Sequence, residues 1–213
     1  MEALVTHTGT AAPLRKSDID TDQIIPVRFV VSRVTKKGWG EGMMADLRSE
    51  SEFVLNQPQY AESSILVAGE NFGTGSSREW AVWALMDYGF RIVFSTKFGD
   101  IFRNNAAANG LVAATLPPDA IEQLWKQIEN YPDEPVTVDL QNLEVSVGGL
   151  HFEFEYPEDF RWRVLNGIDD IDLTLQSLDQ IEEYEAGIRP SKPKVPRTSD
   201  AYQPTPVTVD SGE

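Results

Sequence analysis

Residues Gly69 to Glu79 carry the clearest chemical potential in this chain. They read Gly69-Glu70-Asn71-Phe72-Gly73-Thr74-Gly75-Ser76-Ser77-Arg78-Glu79, between an apolar stretch from Ser64 and a helix-like segment that reaches Tyr88. Glycine takes up φ > 0 without steric penalty and lets backbone come close to a ligand. Two hydroxyls and a guanidinium follow where a helix starts. Helix N-termini attract anions through unpaired N–H groups and the macrodipole. The run predicts a site for something negatively charged, and leaves open whether that anion also reacts.

The commonest glycine loops do not fit. A phosphate loop needs Gly, four residues, then Gly-Lys-Ser/Thr, and no Lys follows any of these glycines. The dinucleotide fingerprint needs a Gly three residues after Gly75, where Arg78 stands. A nucleophile elbow needs Gly-x-Ser-x-Gly, and Arg78 and Glu79 occupy the place of its second Gly. A plain strand-to-helix turn with a Ser N-cap would leave three glycines and Arg78 unexplained.

Other titratable groups narrow the chemistry. Asp18, Asp20 and Asp22 alternate like calcium ligands, but an EF-hand loop would need Gly at position 23 and Glu at position 29, where Gln23 and Phe29 stand. The chain of 213 residues has no cysteine, so it builds no disulfide framework and no Cys-ligated zinc or iron–sulfur centre of its own. His7 and His151 are far apart and are expected to be structural. The net charge is −16, and nearly all of the excess lies between residues 104 and 188, where only Lys126, Arg161 and Arg163 are basic. Nucleic acid is therefore not an expected partner. The anion loop lies in the nearly neutral first half. No apolar run is long enough for a membrane span, and Met1-Glu2-Ala3-Leu4-Val5 has neither the basic start nor the apolar core of a signal, so the expected location is the cytoplasm.

The elements that must position the loop follow from periodicity. Val5 to Thr10 reads as a strand, followed by Pro13 and a turn. Phe29 to Val34 reads as strand or short helix, and Lys36 to Gly42 as a loop. Strands at Ser64–Ala68, Arg91–Ser95 and Leu111–Leu116 alternate with helices at Ser77–Tyr88, Gly99–Asn109 and around Ile121, Leu124, Trp125 and Ile128. That alternation predicts parallel strands with crossover helices. Val136–Leu140, Leu143–Val147 and Leu150–Tyr156 then read as antiparallel strands joined at Gln141-Asn142 and Gly148-Gly149. Ile171 to Tyr184 is a last helical stretch. The expected division is one α/β domain over residues 1–188 and a Pro-rich, disordered tail over 189–213.

Three segments in this order and spacing resemble the family of 3-isopropylmalate dehydratase small subunits, which corresponds to the C-terminal swivelling domain of the aconitase superfamily. They are Asp20-Thr21-Asp22-Gln23-Ile24-Ile25-Pro26, the Gly69–Glu79 loop running into Ala81-Val82-Trp83-Ala84-Leu85, and Phe98-Gly99-Asp100-Ile101-Phe102-Arg103-Asn104-Asn105. The resemblance covers about residues 1–185 and implies a three-layer β/β/α swivelling domain. It implies a hydro-lyase that interconverts 2-isopropylmalate and 3-isopropylmalate in leucine biosynthesis, by dehydration and rehydration. The family's large subunit carries a [4Fe–4S] cluster on its own cysteines, so the implied partner is that subunit and no metal is expected on this chain.

By the same resemblance Ser76 is the catalytic base. Ser77, Arg78 and Gly75 bind the substrate, with Arg33 as a second substrate-binding Arg. Asp22 stands at the active-site edge, or else is a solvent-facing strand residue. Asp100 and Asn104 lie in the third motif, where helix capping and loop bracing explain them at least as well as catalysis. The loop from Thr35 to Met44 reads the substrate's side group, with Trp39, Met43 and Met44 as an apolar wall or else as ordinary local packing. One departure stands out: Trp80 replaces the His of the family's usual Ser-Arg-Glu-His-Ala. Two alternatives remain. One is a small subunit for a related acid of the homoaconitate or citramalate type, which Lys36 and Lys37 keep open. The other is a non-catalytic anion-binding module. An exposed apolar face around the loop would favour a subunit that closes on a partner.

Overall fold

A computed structural model describes residues 1–30, 38–75 and 78–187. The chain divides into two compact units, Met1–Leu173 and Thr174–Glu213. In the first unit, β1 (Thr6–Gly9) is followed at once by β2 (Ala11–Leu14), then by the short helices α1 (Thr21–Ile24) and α2 (Ala45–Arg48). An alternating series follows: β3 (Ile65–Ala68), α3 (Glu79–Tyr88), β4 (Ile92–Ser95), α4 (Asp100–Asn109), β5 (Val112–Thr115) and α5 (Pro118–Asn130). Strands β6 (Val136–Asp139), β7 (Glu144–Val147) and β8 (Leu150–Glu153) come next, then α6 (Glu158–Asn166). Helix α7 (Asp170–Leu175) runs across the division, and α8 (Leu178–Ala186) belongs to the second unit.

Two four-stranded sheets form the body. One is parallel in the order β2-β3-β4-β5, the other antiparallel in the order β1-β6-β7-β8. Every residue of β2, β3 and β4 is buried, as expected for parallel strands covered on both faces. The two sheets meet through Phe94 of β4 and Phe154, whose rings are 5.5 Å apart, and through His7 of β1 and Ser64, whose Nε2 and Oγ are 2.8 Å apart. Helix α5 lays Ala120, Ile121, Leu124 and Ile128 into the core, and Trp125 Nε1 donates to the Val67 carbonyl of β3.

Several elements depart from the sequence reading. No turn follows at Pro13, which lies inside β2 in register with Val67. It is tolerated there because β2 is the edge of its sheet, where a missing N–H breaks no inner ladder. Asp22 stands on helix α1 and not on a strand, because Asp20 accepts from Gln23 N at 2.7 Å and caps a single turn. The Gly148-Gly149 hairpin has φ of +55° and +80°, as a two-residue primed turn requires. The other hairpin needs four residues, because Asp139 gathers the N–H groups of Gln141 and Asn142. Helix α6 adds to the expected elements, with Glu158 and Asp159 in its first turn and Gly167 at its C-cap. The last helical stretch is two helices broken at Gln176 and Ser177.

Candidate functional site

The three sequence motifs meet at one point. The glycine loop takes a ladder of backbone bonds from the first motif: Gly69 N to Lys16 O, Asp18 N to Glu70 O at 2.8 Å, Gly73 N to Ile19 O at 2.7 Å and Thr21 N to Thr74 O at 3.0 Å. On its other side, Phe72 N donates to Lys97 O at 3.0 Å and Gly99 N to Phe72 O at 2.9 Å. Phe72, Phe98 and Phe102 close a buried aromatic cluster beneath the loop, with centroids 5.5–6.2 Å apart. The loop is thus held by isolated β-bridges, Asp20 with Thr74 and Phe72 with Phe98, without belonging to either sheet.

The glycines divide the work. Gly73 has φ +72°, and a Cβ there would stand 2.3 Å from Phe102 Cγ, so its bareness serves internal packing rather than a ligand. Gly75 has φ +92° and its nearest neighbour would be Asp20 Cβ at 3.5 Å, so conformation alone demands glycine. Ser76 and Ser77 lie outside the described residues, as does Arg33. Helix α3 begins at Glu79 with Arg78 at its N-cap, and the Arg78 side chain does not cap it.

Arg78 is the described residue that bears most directly on chemistry. Its guanidinium Nη1 donates to the Asp22 carboxylate; the Arg78 side chain is 23% exposed and that of Asp22 55%. The other acids of the first motif have different tasks. Asp20 caps α1, and Asp18, at φ +57°, accepts from Asn71 Nδ2 at 2.8 Å. The structure brings Gly75, Arg78 and Asp22 together. Asp100 and Asn104 are exposed in α4, where the N-cap is Gly99, so neither caps that helix. Trp39, Met43 and Met44 are core residues, 2%, 0% and 0% exposed, and do not form the open apolar wall expected of them. They pack inward because their segment is clamped by Met44 N to Ile24 O at 2.7 Å and Gly40 N to Asp87 Oδ2 at 2.8 Å.

Two cavities of about 530 and 610 Å³ open elsewhere, and neither is lined by Arg78 or Asp22. Val27, just past α1, and Ile101, in the first turn of α4, are 47% and 49% exposed. Among the described residues no group of three His, Cys, Asp or Glu side chains could hold a metal ion, and the chain has no cysteine. The residues present do not fit an iron–sulfur cluster. No helix among the described residues is long and apolar enough to cross a membrane.

Comparison with known proteins assigns this arrangement. Residues 1–119 match the aconitase C-terminal domain family, and residues 170–198 match the C-terminal domain of the 3-isopropylmalate dehydratase small subunit. The fold is thus that of an aconitase C-terminal domain. The chain is 53% identical over 199 residues to the 3-isopropylmalate dehydratase small subunit of Mycobacterium ulcerans, covering 93% of this chain and all of that one. It is 50% identical to the protein of the same name from Thermobifida fusca, covering 91% and 98% of the two chains. A crystal structure of 3-isopropylmalate dehydratase from Methanocaldococcus jannaschii superposes with a TM-score of 0.63 at 26% identity, covering 84% of this chain and 99% of that one. The chain belongs to the family of 3-isopropylmalate dehydratase small subunits, hydro-lyase subunits of leucine biosynthesis.

Proposed function

We propose that the Gly69–Glu79 loop, Asp22 and Arg78 are one half of an active site that a large subunit completes. The observation that carries this reading is the Arg78–Asp22 ion pair at the meeting point of the three motifs. A planar guanidinium suits a carboxylate, and here it already holds one. We read Asp22 as occupying the place of a substrate carboxylate until 2-isopropylmalate arrives. Gly75 and Ser77 then hold the same anion by backbone and hydroxyl, and Arg33 supplies the second positive charge.

Ser76 acts as the base. It takes a proton from the substrate carbon that bears hydrogen, the C–H electrons form the alkene, and the hydroxyl on the adjacent carbon leaves with the C–O bonding pair as hydroxide, which becomes water on taking a proton from solvent. Rehydration in the opposite sense, with Ser76 returning the proton, gives 3-isopropylmalate. A serine hydroxyl is a weak acid, so its alkoxide needs the positive potential of a helix start and the neighbouring guanidinium. A [4Fe–4S] cluster would be held by the large subunit and would supply a Lewis acid for the departing hydroxide; this chain has no cysteine to ligate one. The exposed Val27 and Ile101 suit a face that closes on that partner. The enzyme works in the cytoplasm, residues 1–188 form its working domain and 189–213 a tail.

The test is turnover of 2-isopropylmalate by the complex with the large subunit. Ser76→Ala is expected to lower kcat by about 10²–10⁴-fold, the range spanned by loss of a general base. Full activity of that variant would remove Ser76 from the mechanism. Turnover by this chain alone would overturn the two-subunit reading.

A further inference from the structure

The second compact unit holds helix α8, which buries none of its 9 residues. Leu178, Ile181 and Tyr184 follow one another at i, i+3 and i+6 and so share one side of the helix. Leu178 is 44% exposed and Tyr184 67%; Leu175, just before the helix, is 54% exposed. Asp179 and Glu183 fall on the opposite side. The pattern is that of an amphipathic helix with an apolar side to bury, yet two of the three side chains on that side stand open to solvent.

Nothing local accounts for the stability of α8. A helix this short is marginal in water and depends on the packing of its apolar side. Its charges oppose it as well. Between Thr174 and Gly187 stand the acids Asp179, Glu182, Glu183 and Glu185, and no Lys or Arg. Asp179 repels Glu182 and Glu183 at i+3 and i+4, and Glu182 repels Glu185 at i+3. Glu183 and Glu185 also lie in the last turn, at the negative end of the helix dipole, where no basic residue answers them. A surface with an apolar groove and a basic rim would relieve all of these faults together.

The occupant follows from where the segment belongs. The match to the aconitase C-terminal domain family ends at residue 119, and α8 lies instead within residues 170–198, which match the C-terminal domain of the small subunit. A segment particular to small subunits suits contact with the large one. We propose that α8 is a docking helix for the large subunit, with Leu178, Ile181 and Tyr184 laid in an apolar groove and its acids paired with a basic rim. The inference rests on reading this chain as one half of a two-chain enzyme. It assigns α8 to holding the partner and not to the chemistry.

The experiment measures the dissociation constant of the full chain for its large subunit by calorimetry, and kcat for 2-isopropylmalate with the large subunit in saturating excess. The double variant Leu178→Ser, Tyr184→Ser is expected to raise the dissociation constant by at least about 10-fold, as loss of interface anchors does, with kcat kept within about 2-fold. Glu182→Gln with Glu183→Gln is expected to raise it by about 3-fold at low salt and to flatten its salt dependence. A double Ser variant that binds the large subunit as the native chain does would overturn the inference. So would a loss of self-association or a lower urea midpoint in that variant with binding unchanged, which would set the helix against a second copy or against its own chain. Hydrogen exchange reads the contact without a substitution. The α8 amides of the native chain are expected to slow by at least about 10-fold in the complex, and unchanged exchange counts against the docking helix. Failure of the underlying reading has a separate signature: the native chain would then bind no large subunit, or would turn over 2-isopropylmalate alone.

Discussion

The Arg78–Asp22 pair shows how the proposed clamp would be kept ready. An unpaired guanidinium at a helix start would hold water and sample many rotamers, whereas a neighbouring carboxylate keeps its fork extended. On the proposed reading the same carboxylate competes with substrate. Asp22 is more than half exposed, so the pair is worth about 1 kcal/mol at most. Asp22→Asn is therefore expected to lower KM for 2-isopropylmalate, by no more than about 5-fold, with assembly on the large subunit retained. A raised KM would instead give Asp22 a direct part in binding. Arg78→Gln is expected to raise KM by at least about 10-fold through loss of a charge-assisted hydrogen bond. Steady-state kinetics of the two variants together separate the competitor from the clamp.

At the scale of elements, the site depends on how α4 abuts the glycine loop. Phe102 lies over Gly73, and Gly99 packs so closely that a Cβ would stand 2.4 Å from Gly73 O. Gly73→Ala adds a methyl group into Phe102 and leaves a left-handed φ occupied by a residue that resists it. We expect a loss of about 2–4 kcal/mol in urea unfolding, from strain and overpacking together. Gly75→Ala meets the same backbone penalty without the clash, so its loss should be smaller. Equal losses at the two sites would show that conformation alone, and not Phe102, governs the loop. Helix α3 is held from outside, by Trp39 on one side and by Asn109 on the other.

For the body as a whole, the two sheets must stay in register for the motifs to meet. His7 joins them by its bond to Ser64. Burial, and then the nearby positive charge of Arg91, holds its imidazole below the ordinary 6.5. The folded state therefore favours neutral His7, whereas the unfolded chain takes up a proton near 6.5. The contribution of this group is fully present above that pH and is lost as pH falls from there through the lower folded value. Urea midpoints at pH 7.5 and 5.5 should show a larger drop for the native chain than for His7→Gln, in which the titration is absent. An equal drop would remove His7 from the pH response.

Much of this was legible in the residues. The alternation of strand and helix from Ser64 to Asn130, the Gly148-Gly149 hairpin and the amphipathic α5 are local patterns, each written into neighbours a few positions apart. The expectation of an anion at the loop follows from glycine, hydroxyl and guanidinium chemistry, and the lack of cysteine means that this chain builds no Cys-ligated cluster of its own. Tertiary structure decided what long-range contact alone can set. Pro13 is a strand residue because β2 happens to be an edge. Asp22 faces Arg78 because two segments 56 positions apart share a backbone ladder. Trp39, Met43 and Met44 turn inward because α1 and α3 grip their segment from both sides. Spacing along a chain specifies elements and their chemistry, whereas the burial and pairing of a given side chain depend on what the rest of the fold brings against it.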